Sequence, residues 1–173
     1  MRRLRYGVAM SLDCFIAGPN GEHDWILSDP EIDFEAIHAQ FDTLLMGRRT
    51  YEIARDRRES MEGSGQRWIV VSGSLRPDEN AGITILSVGV ARAVADLKAE
   101  PGKDIWLMGG GVLFRSLLDA GLVDGVEVAV MPVLLGSGTP LLPQGRRQVL
   151  HLRESKVLRS GILMLNYSVA PEG

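Results

Sequence analysis

The stretch "IWLMGGGVLFRSLLDAG", Ile105 to Gly121, begins as an apolar run, ends with helical spacing, and carries three consecutive glycines at the corner. A buried strand that turns into a helix through glycines leaves bare backbone N–H groups at the helix start. The positive end of the helix dipole lies there too. Such a corner suits an anion, a phosphate first of all. The same residues also fit a tight turn in which Gly109, Gly110 and Gly111 only relieve backbone crowding. The ligand reading expects a methyl group at Gly110 to cost affinity and little stability; the crowding reading expects the reverse. This stretch alone leaves both open.

Working outward, the chain keeps a regular rhythm. Leu4 to Leu12 reads as a first strand, followed by a loop rich in Gly, Pro and Asn, Ala17 to His23. Pro30 to Gln40 has helical spacing, with Ile32, Ala36 and Ile37 on one side. "DTLLMGRRTYEIARDRR" then repeats the corner: a short strand, Thr43 to Met46, a glycine, and a helix. "RWIVVS" and "ITIL" read as further strands, and a helix from Val90 to Ala99 is stopped by Pro101 and Gly102. After Asp124 the pattern changes to strands without helices: "GVEVAVMPVLL", "ESKVLRS" and "GILMLNYSVA". The last two meet at Ser160-Gly161, a hairpin signal. Strands alternating with helices imply an α/β fold with a mainly parallel sheet covered on both faces, here with antiparallel strands added at the C-terminal edge. With no internal repeat or linker, residues 1–173 read as one domain.

Composition narrows the function. A chain of 173 residues, 45% hydrophobic and 24% charged, has the make-up of a globular domain with a sizeable core. No apolar run approaches the roughly 20 residues that cross a bilayer, and Ser11 and Asp13 interrupt the one that would make a signal-peptide core. The single cysteine, Cys14, excludes an internal disulfide or a multi-cysteine metal site. A cytoplasmic protein with no metal centre is the expectation. The net charge of −3 argues against a general nucleic-acid or anionic-membrane binder.

Both glycine corners, at Gly47 and at Gly109 to Gly111, stand at the carboxyl ends of strands, where ligands bind in open α/β sheets. Two phosphate-friendly corners on one edge suggest a dinucleotide. Arg48, Arg49 and Thr50 follow Gly47 at a helix start. Arginine offers a fixed fork of donors for phosphate, and a threonine hydroxyl adds another. An isolated basic pair is more often solvated surface, but beside a second corner the two arginines point to NADPH and its extra ribose phosphate.

"LLMGRRTYE" together with "IWLMGGGVLFRSLL" resembles the dihydrofolate reductase superfamily. "MSLDCFIAGPNGEHDW" and "GLVDGVEVAVMPVLLGSGTPLL" resemble, within it, the reductase domain of bifunctional riboflavin-biosynthesis deaminase–reductases. No His or Cys cluster with zinc spacing accompanies them, so no deaminase half is expected in this stretch. The resemblance implies a dihydrofolate-reductase-like three-layer sandwich and an NADPH-dependent reductase forming a homodimer. It implies that Gly109, Gly110 and Gly111 face the pyrophosphate and that Gly47, Arg48, Arg49 and Thr50 serve the phosphates. It places Ser72 near the adenosine ribose, and the backbone of Ala9, Ile16 and Ala17 at the nicotinamide amide. Gly18 to Asp24 resembles a flap over that ring, with Trp25 either a substrate contact or a core aromatic. Asp13 reads as a residue that shapes its own turn.

The substrate is less legible. Hydride chemistry belongs to the cofactor, while the protein orients the ring, excludes water and manages one proton. Dihydrofolate reductases carry a carboxylate on the first helix for this; "SDPEIDFEAIH" offers Asp29, Glu31 and Asp33, and none stands out. Each also fits a solvated first-turn residue favoured by the helix dipole. "GSGTPLLP" resembles the loop whose threonine reaches the substrate, which makes Thr139 a candidate. The expected substrate is a small pteridine- or pyrimidine-type heterocycle. Dihydrofolate reduction proper is the alternative, and outside enzymes a nucleotide-binding protein that has lost catalysis.

Overall fold

The computed structural model describes residues 1–55, 65–76 and 82–170. Its elements in chain order are β1 (Leu4–Ser11), β2 (Phe15–Ala17), α1 (Phe34–His38), β3 (Phe41–Gly47), α2 (Arg48–Arg55), β4 (Arg67–Val71) and β5 (Thr84–Leu86). They continue with α3 (Val90–Ala99), β6 (Asp104–Met108), α4 (Gly111–Asp119), β7 (Gly125–Met131), β8 (Thr139–Pro140), β9 (Leu150–Val157) and β10 (Leu163–Val169). An eight-stranded sheet runs in the order β5-β4-β3-β6-β1-β7-β10-β9. The six strands from β5 to β7 are parallel, and β10 and β9 close the sheet antiparallel. This is the α/β architecture expected from the alternation of strand and helix.

Strand periodicity sorts the side chains into two layers. Leu45, Ile69, Ile105, Leu107, Leu4 and Tyr6 pack on one face beneath α3 and α4, where Val94, Leu97, Phe114 and Leu117 are buried. Leu44, Met46, Trp68 and Val70 face the other way, against Tyr51 of α2. The split follows from the direction of travel. The connection β3–α2–β4 moves away from the sheet centre, whereas β6–α4–β7 passes over β1 in the opposite sense, and right-handed crossovers then put the two helices on opposite faces.

Several boundaries move for local reasons. The helix read over Pro30–Gln40 shrinks to Phe34–His38. Asp29 Oδ1 accepts the Glu31 N–H at 2.8 Å, and Asp33 Oδ1 accepts the Ala36 N–H at 2.9 Å as the N-cap. These side-chain bonds compete with the helical ladder, so it starts only after Asp33. The strand read through Leu135 ends at Met131, because Pro132 brings no N–H to the ladder. β9 begins at Leu150, four residues before the stretch read from sequence, and the Ser160-Gly161 turn is present, with Gly161 at φ +88°. The short ribbon of β2 with β8 has no signal in the hydrophobic pattern, since both pieces are two or three residues long. The stretch read as the helix after Gly47 continues to residue 58, outside the described residues.

Candidate functional site

The two glycine corners become neighbours because β3 and β6 are adjacent. Met46 pairs with Met108, and Gly47 and Gly109 follow them on their strands. From this point α2 leaves toward β4 and α4 toward β7, which makes it the topological switch point of the sheet. Thr50, in the first turn of α2, stands against the other corner: a Cβ built on Gly109 would lie 3.1 Å from Thr50 Oγ1, and one on Gly110 3.8 Å. The N-cap of α4 is Gly110, which brings no side chain to cap the helix. The arrangement is a cradle of bare backbone and one hydroxyl between two helix starts, and a pyrophosphate fits its donors.

The glycines differ in why they are glycines. Gly109 and Gly110 have φ of +55° and +77°, a region that L side chains rarely adopt. Gly111 opens α4, and a Cβ there would lie 2.8 Å from the Leu141 carbonyl oxygen and 3.0 Å from that of Pro140. It is bare because another piece of backbone crosses it. Gly47 has neither constraint among the described residues: its φ is not positive, and a Cβ would meet none of their atoms within 4 Å. Of the two readings open at this corner, the backbone one applies to Gly109 and Gly110, whose φ is positive. Gly110 is needed by the backbone, and Gly47 is the corner residue for which the described residues give no reason.

A third corner extends the same edge. β4 runs beside β3, with Val71 opposite Gly47, and ends in Ser72-Gly73-Ser74. The Ser72 side chain is buried and its hydroxyl accepts the N–H groups of Leu75 at 3.0 Å and Ser74 at 3.2 Å, so it shapes its own turn. Ser74 is exposed instead and accepts from Arg48 Nη1 at 2.7 Å, while Arg48 Nε reaches Glu52 at 2.7 Å. Arg48 is thus held across the β3 and β4 corners. Arg49 is exposed, with no side-chain bond among the described residues. Among the described residues, nothing comes within 4 Å of a Cβ built on Gly73, as on Gly47. Sequence reading missed Gly73 and Ser74, although a serine-flanked glycine after a buried strand is a usable signal.

On the other side, β6 ends opposite Gly7 while β1 runs on to Ser11. Among the described residues, no strand lies beside the backbone from Val8 to Met10, Ala9 included, on the β6 side. Ile16 and Ala17 lie on β2, whose Ala17 pairs with Thr139 of β8. Thr139 is exposed, and the chain after it crosses Gly111. The β2–β8 ribbon therefore hangs over the glycine corner from the β1 side. The 18–24 loop is closed on itself: Gly18 N–H donates to Glu22 O at 2.9 Å, and the Glu22 carboxylate accepts from the backbone and side chain of Asn20. Trp25 is half-buried, packs with the Met131, Leu158 and Ile162 cluster, and donates its indole N–H to Glu22 O at 3.0 Å.

The three candidate carboxylates all have other partners. Asp29 is buried, and its Oδ2 accepts the Ser160 N–H at 3.2 Å. The Ser160 hydroxyl, with the N–H groups of Glu31 and Ser160, holds its carboxyl below the usual carboxylate range. Glu31 accepts the Arg159 N–H at 3.2 Å and lies 3.5 Å from Lys156. Asp33 caps α1. Asp29 and Glu31 clasp the β9–β10 turn, and none of the three is shown aimed at the glycine corners.

Asp13 does more than shape a turn. Its carboxylate accepts from the Ser11 hydroxyl at 2.6 Å and from the N–H groups of Leu135 at 3.1 Å and Gly136 at 2.7 Å. The Ser11 hydroxyl first, then those amides, pull its carboxyl down to about 2. A folded pKa below the unfolded one contributes stability above the unfolded value and loses it as pH falls through the folded value. The window here runs from about pH 4 to about pH 2. Melting curves should therefore show the wild type losing more stability across that window than Asp13→Asn, with the gap between them constant above pH 5. Parallel acid profiles would remove the carboxylate from this role.

Comparison with known proteins gives the family and the fold. The RibD C-terminal domain family matches residues 2–164. YyaP of Bacillus subtilis (strain 168) is 32% identical over 178 aligned positions, covering 96% of this chain and 94% of YyaP. YwjB of the same organism is 30% identical over 137 positions, 78% of this chain and 79% of YwjB. Among solved structures, a riboflavin-biosynthesis-type protein from Shewanella sp. PV-4 superposes with TM-score 0.79 at 24% identity, covering 99% of this chain and all of that one. The deaminase/reductase of Thermotoga maritima gives TM-score 0.71 at 14% identity; this chain is covered to 98% and spans 57% of that one. Matched by one family model from residue 2 to residue 164, the chain belongs to the RibD C-terminal domain family.

Proposed function

We propose that this protein is an NADPH-dependent reductase acting on a small heterocycle of pteridine or pyrimidine type. Membership in a reductase-type family supports the reaction class, and one observation carries the cofactor: Gly47 is bare where no described residue requires it, beside Thr50 and the positive-φ corner of Gly109 and Gly110. In this reading the starts of α2 and α4 hold the pyrophosphate. Arg48 and Arg49 meet the 2′-phosphate, Ser74 stands at the adenosine ribose, and the free backbone edge at Ala9 with Ile16 and Ala17 orients the nicotinamide. NADPH when bound supplies the hydride. Thr139 and Trp25 are the residues this reading assigns to the substrate.

The test is NADPH oxidation followed at 340 nm against a panel of pterins, pyrimidines and flavins. Turnover with any heterocycle supports the reading and identifies the substrate class. One observation favours a second reading, a nucleotide-binding protein without catalysis: Asp29, Glu31 and Asp33 are all engaged elsewhere. If the protein turns over a substrate, single amide variants of these three should leave the rate near wild type, with water supplying the proton. Tight NADPH binding without turnover across the panel would support the second reading.

We also propose a homodimer, formed through β9. This edge strand is exposed along its length, and a bulge at its middle keeps Leu150, Leu152, Ser155 and Val157 on the face of Leu163, Leu165 and Tyr167. Leu152 and Val157 are 54% and 73% exposed. Antiparallel pairing with a second copy about an axis between Arg153 and Glu154 sets opposite charges across the junction twice and joins the apolar faces. Sedimentation should show a dimer that Leu152→Glu converts to monomer; an unchanged sedimentation coefficient would remove β9 from the interface.

A further inference from the structure

The turn between β1 and β2 is bound to the segment after β7 more heavily than a surface turn requires. Leu12 N–H donates to Val133 O at 2.8 Å, and Leu141 N–H donates to Cys14 O at 2.9 Å. Between these two bonds the Asp13 carboxylate gathers the Ser11 hydroxyl and the N–H groups of Leu135 and Gly136. Gly138 lies so close to the Ala17 carbonyl that a side chain there would collide with it. Farther along, the carbonyl groups of Pro140 and Leu141 rest on Gly111. One continuous piece thus runs from Asp13, through residues 135–141, to the first residue of α4. Its two ends are the β2 backbone and the glycine corner.

We propose that Asp13 is a positioning residue for the cofactor, setting the separation between the Ile16–Ala17 backbone and the Gly109–Gly111 corner. This rests on the NADPH reading above. The distance it fixes is the span that the nicotinamide half of a dinucleotide must bridge. The adenosine half is held by β3 and β4, two and three strands from β1, and does not depend on it. A group that only stabilised the fold would affect both halves alike.

Calorimetric titration with NADPH and with 2′,5′-ADP, which carries only the adenosine half, separates the two. Asp13→Asn keeps the size of the side chain but replaces one acceptor by an NH2 that cannot receive the Gly136 amide. It should weaken NADPH by ~10-fold or more and leave 2′,5′-ADP within about twofold, because only the pre-set geometry of one half is lost. Ser11→Ala, which removes one donor to the carboxylate, should show a smaller loss of the same selectivity. It carries the comparison alone should Asp13→Asn fail to fold by circular dichroism. Equal weakening of both ligands, or no weakening of either in a protein that binds NADPH, overturns the role of Asp13. A wild-type protein that binds neither ligand overturns the cofactor reading itself, and this inference with it.

Discussion

Replacing Arg48 and Arg49 together with alanine should weaken NADPH by roughly a hundredfold or more while NADH loses far less. Each guanidinium is expected to form charge-assisted bonds worth about 1.5–3 kcal/mol with a phosphate that only NADPH carries. The structure divides the effect between them. Arg48 is already held by Glu52 and Ser74, so its guanidinium is pre-placed and loses little freedom on binding. Arg49 must be ordered by the ligand and should contribute less in the single variant. Ser74→Ala should then reduce the contribution of Arg48 without touching that of Arg49, a difference that a double-mutant cycle measures. Titration of both cofactors against wild type and variants checks all of this. Equal weakening of NADPH and NADH would mean that the arginines serve the shared pyrophosphate.

Three glycine-to-alanine variants should separate into three phenotypes. Gly47→Ala places a methyl group where it meets no described residue, so the melting temperature without cofactor should stay within about 2 °C of wild type. NADPH affinity should nevertheless fall by roughly tenfold or more, because the methyl meets the phosphate and not the protein. Gly110→Ala forces an L residue to φ +77° and should cost the apo protein about 1 kcal/mol or more, whatever happens to binding. Gly111→Ala drives a methyl into the Pro140 and Leu141 carbonyls, an overpacking that costs about 1–3 kcal/mol and displaces the segment carrying Thr139. Melting temperatures with and without NADPH distinguish the three. A Gly47→Ala protein with an unchanged NADPH increment would remove the ligand from that corner.

The amino-acid sequence by itself determined the alternation of strands and helices, the change of pattern after Asp124, and the two glycine corners. These are short-range properties. Period-2 and period-3.6 burial, a proline that cannot continue an element, and a glycine between strand and helix are all written within a dozen residues. That is why the α3 boundaries fall at Val90 and Ala99 in both sequence and structure. The length of α1 was not legible, because Asp29 and Asp33 look like ordinary first-turn residues until their carboxylates are seen bonded to the backbone.

Only the tertiary structure decided which residues the site can use. Gly47 and Gly109 are 62 positions apart and meet because β6 inserts between β1 and β3. The tie from Asp13 to Leu135 spans 122 positions, and that from Asp29 to Ser160 spans 131. Three adjacent glycines look alike in a sequence, and they part company only when φ and the approach of a distant loop are known. A side chain's type and spacing record what its neighbourhood along the chain requires. Which distant group satisfies its charge or fills its space depends on strand order, and no local pattern encodes that.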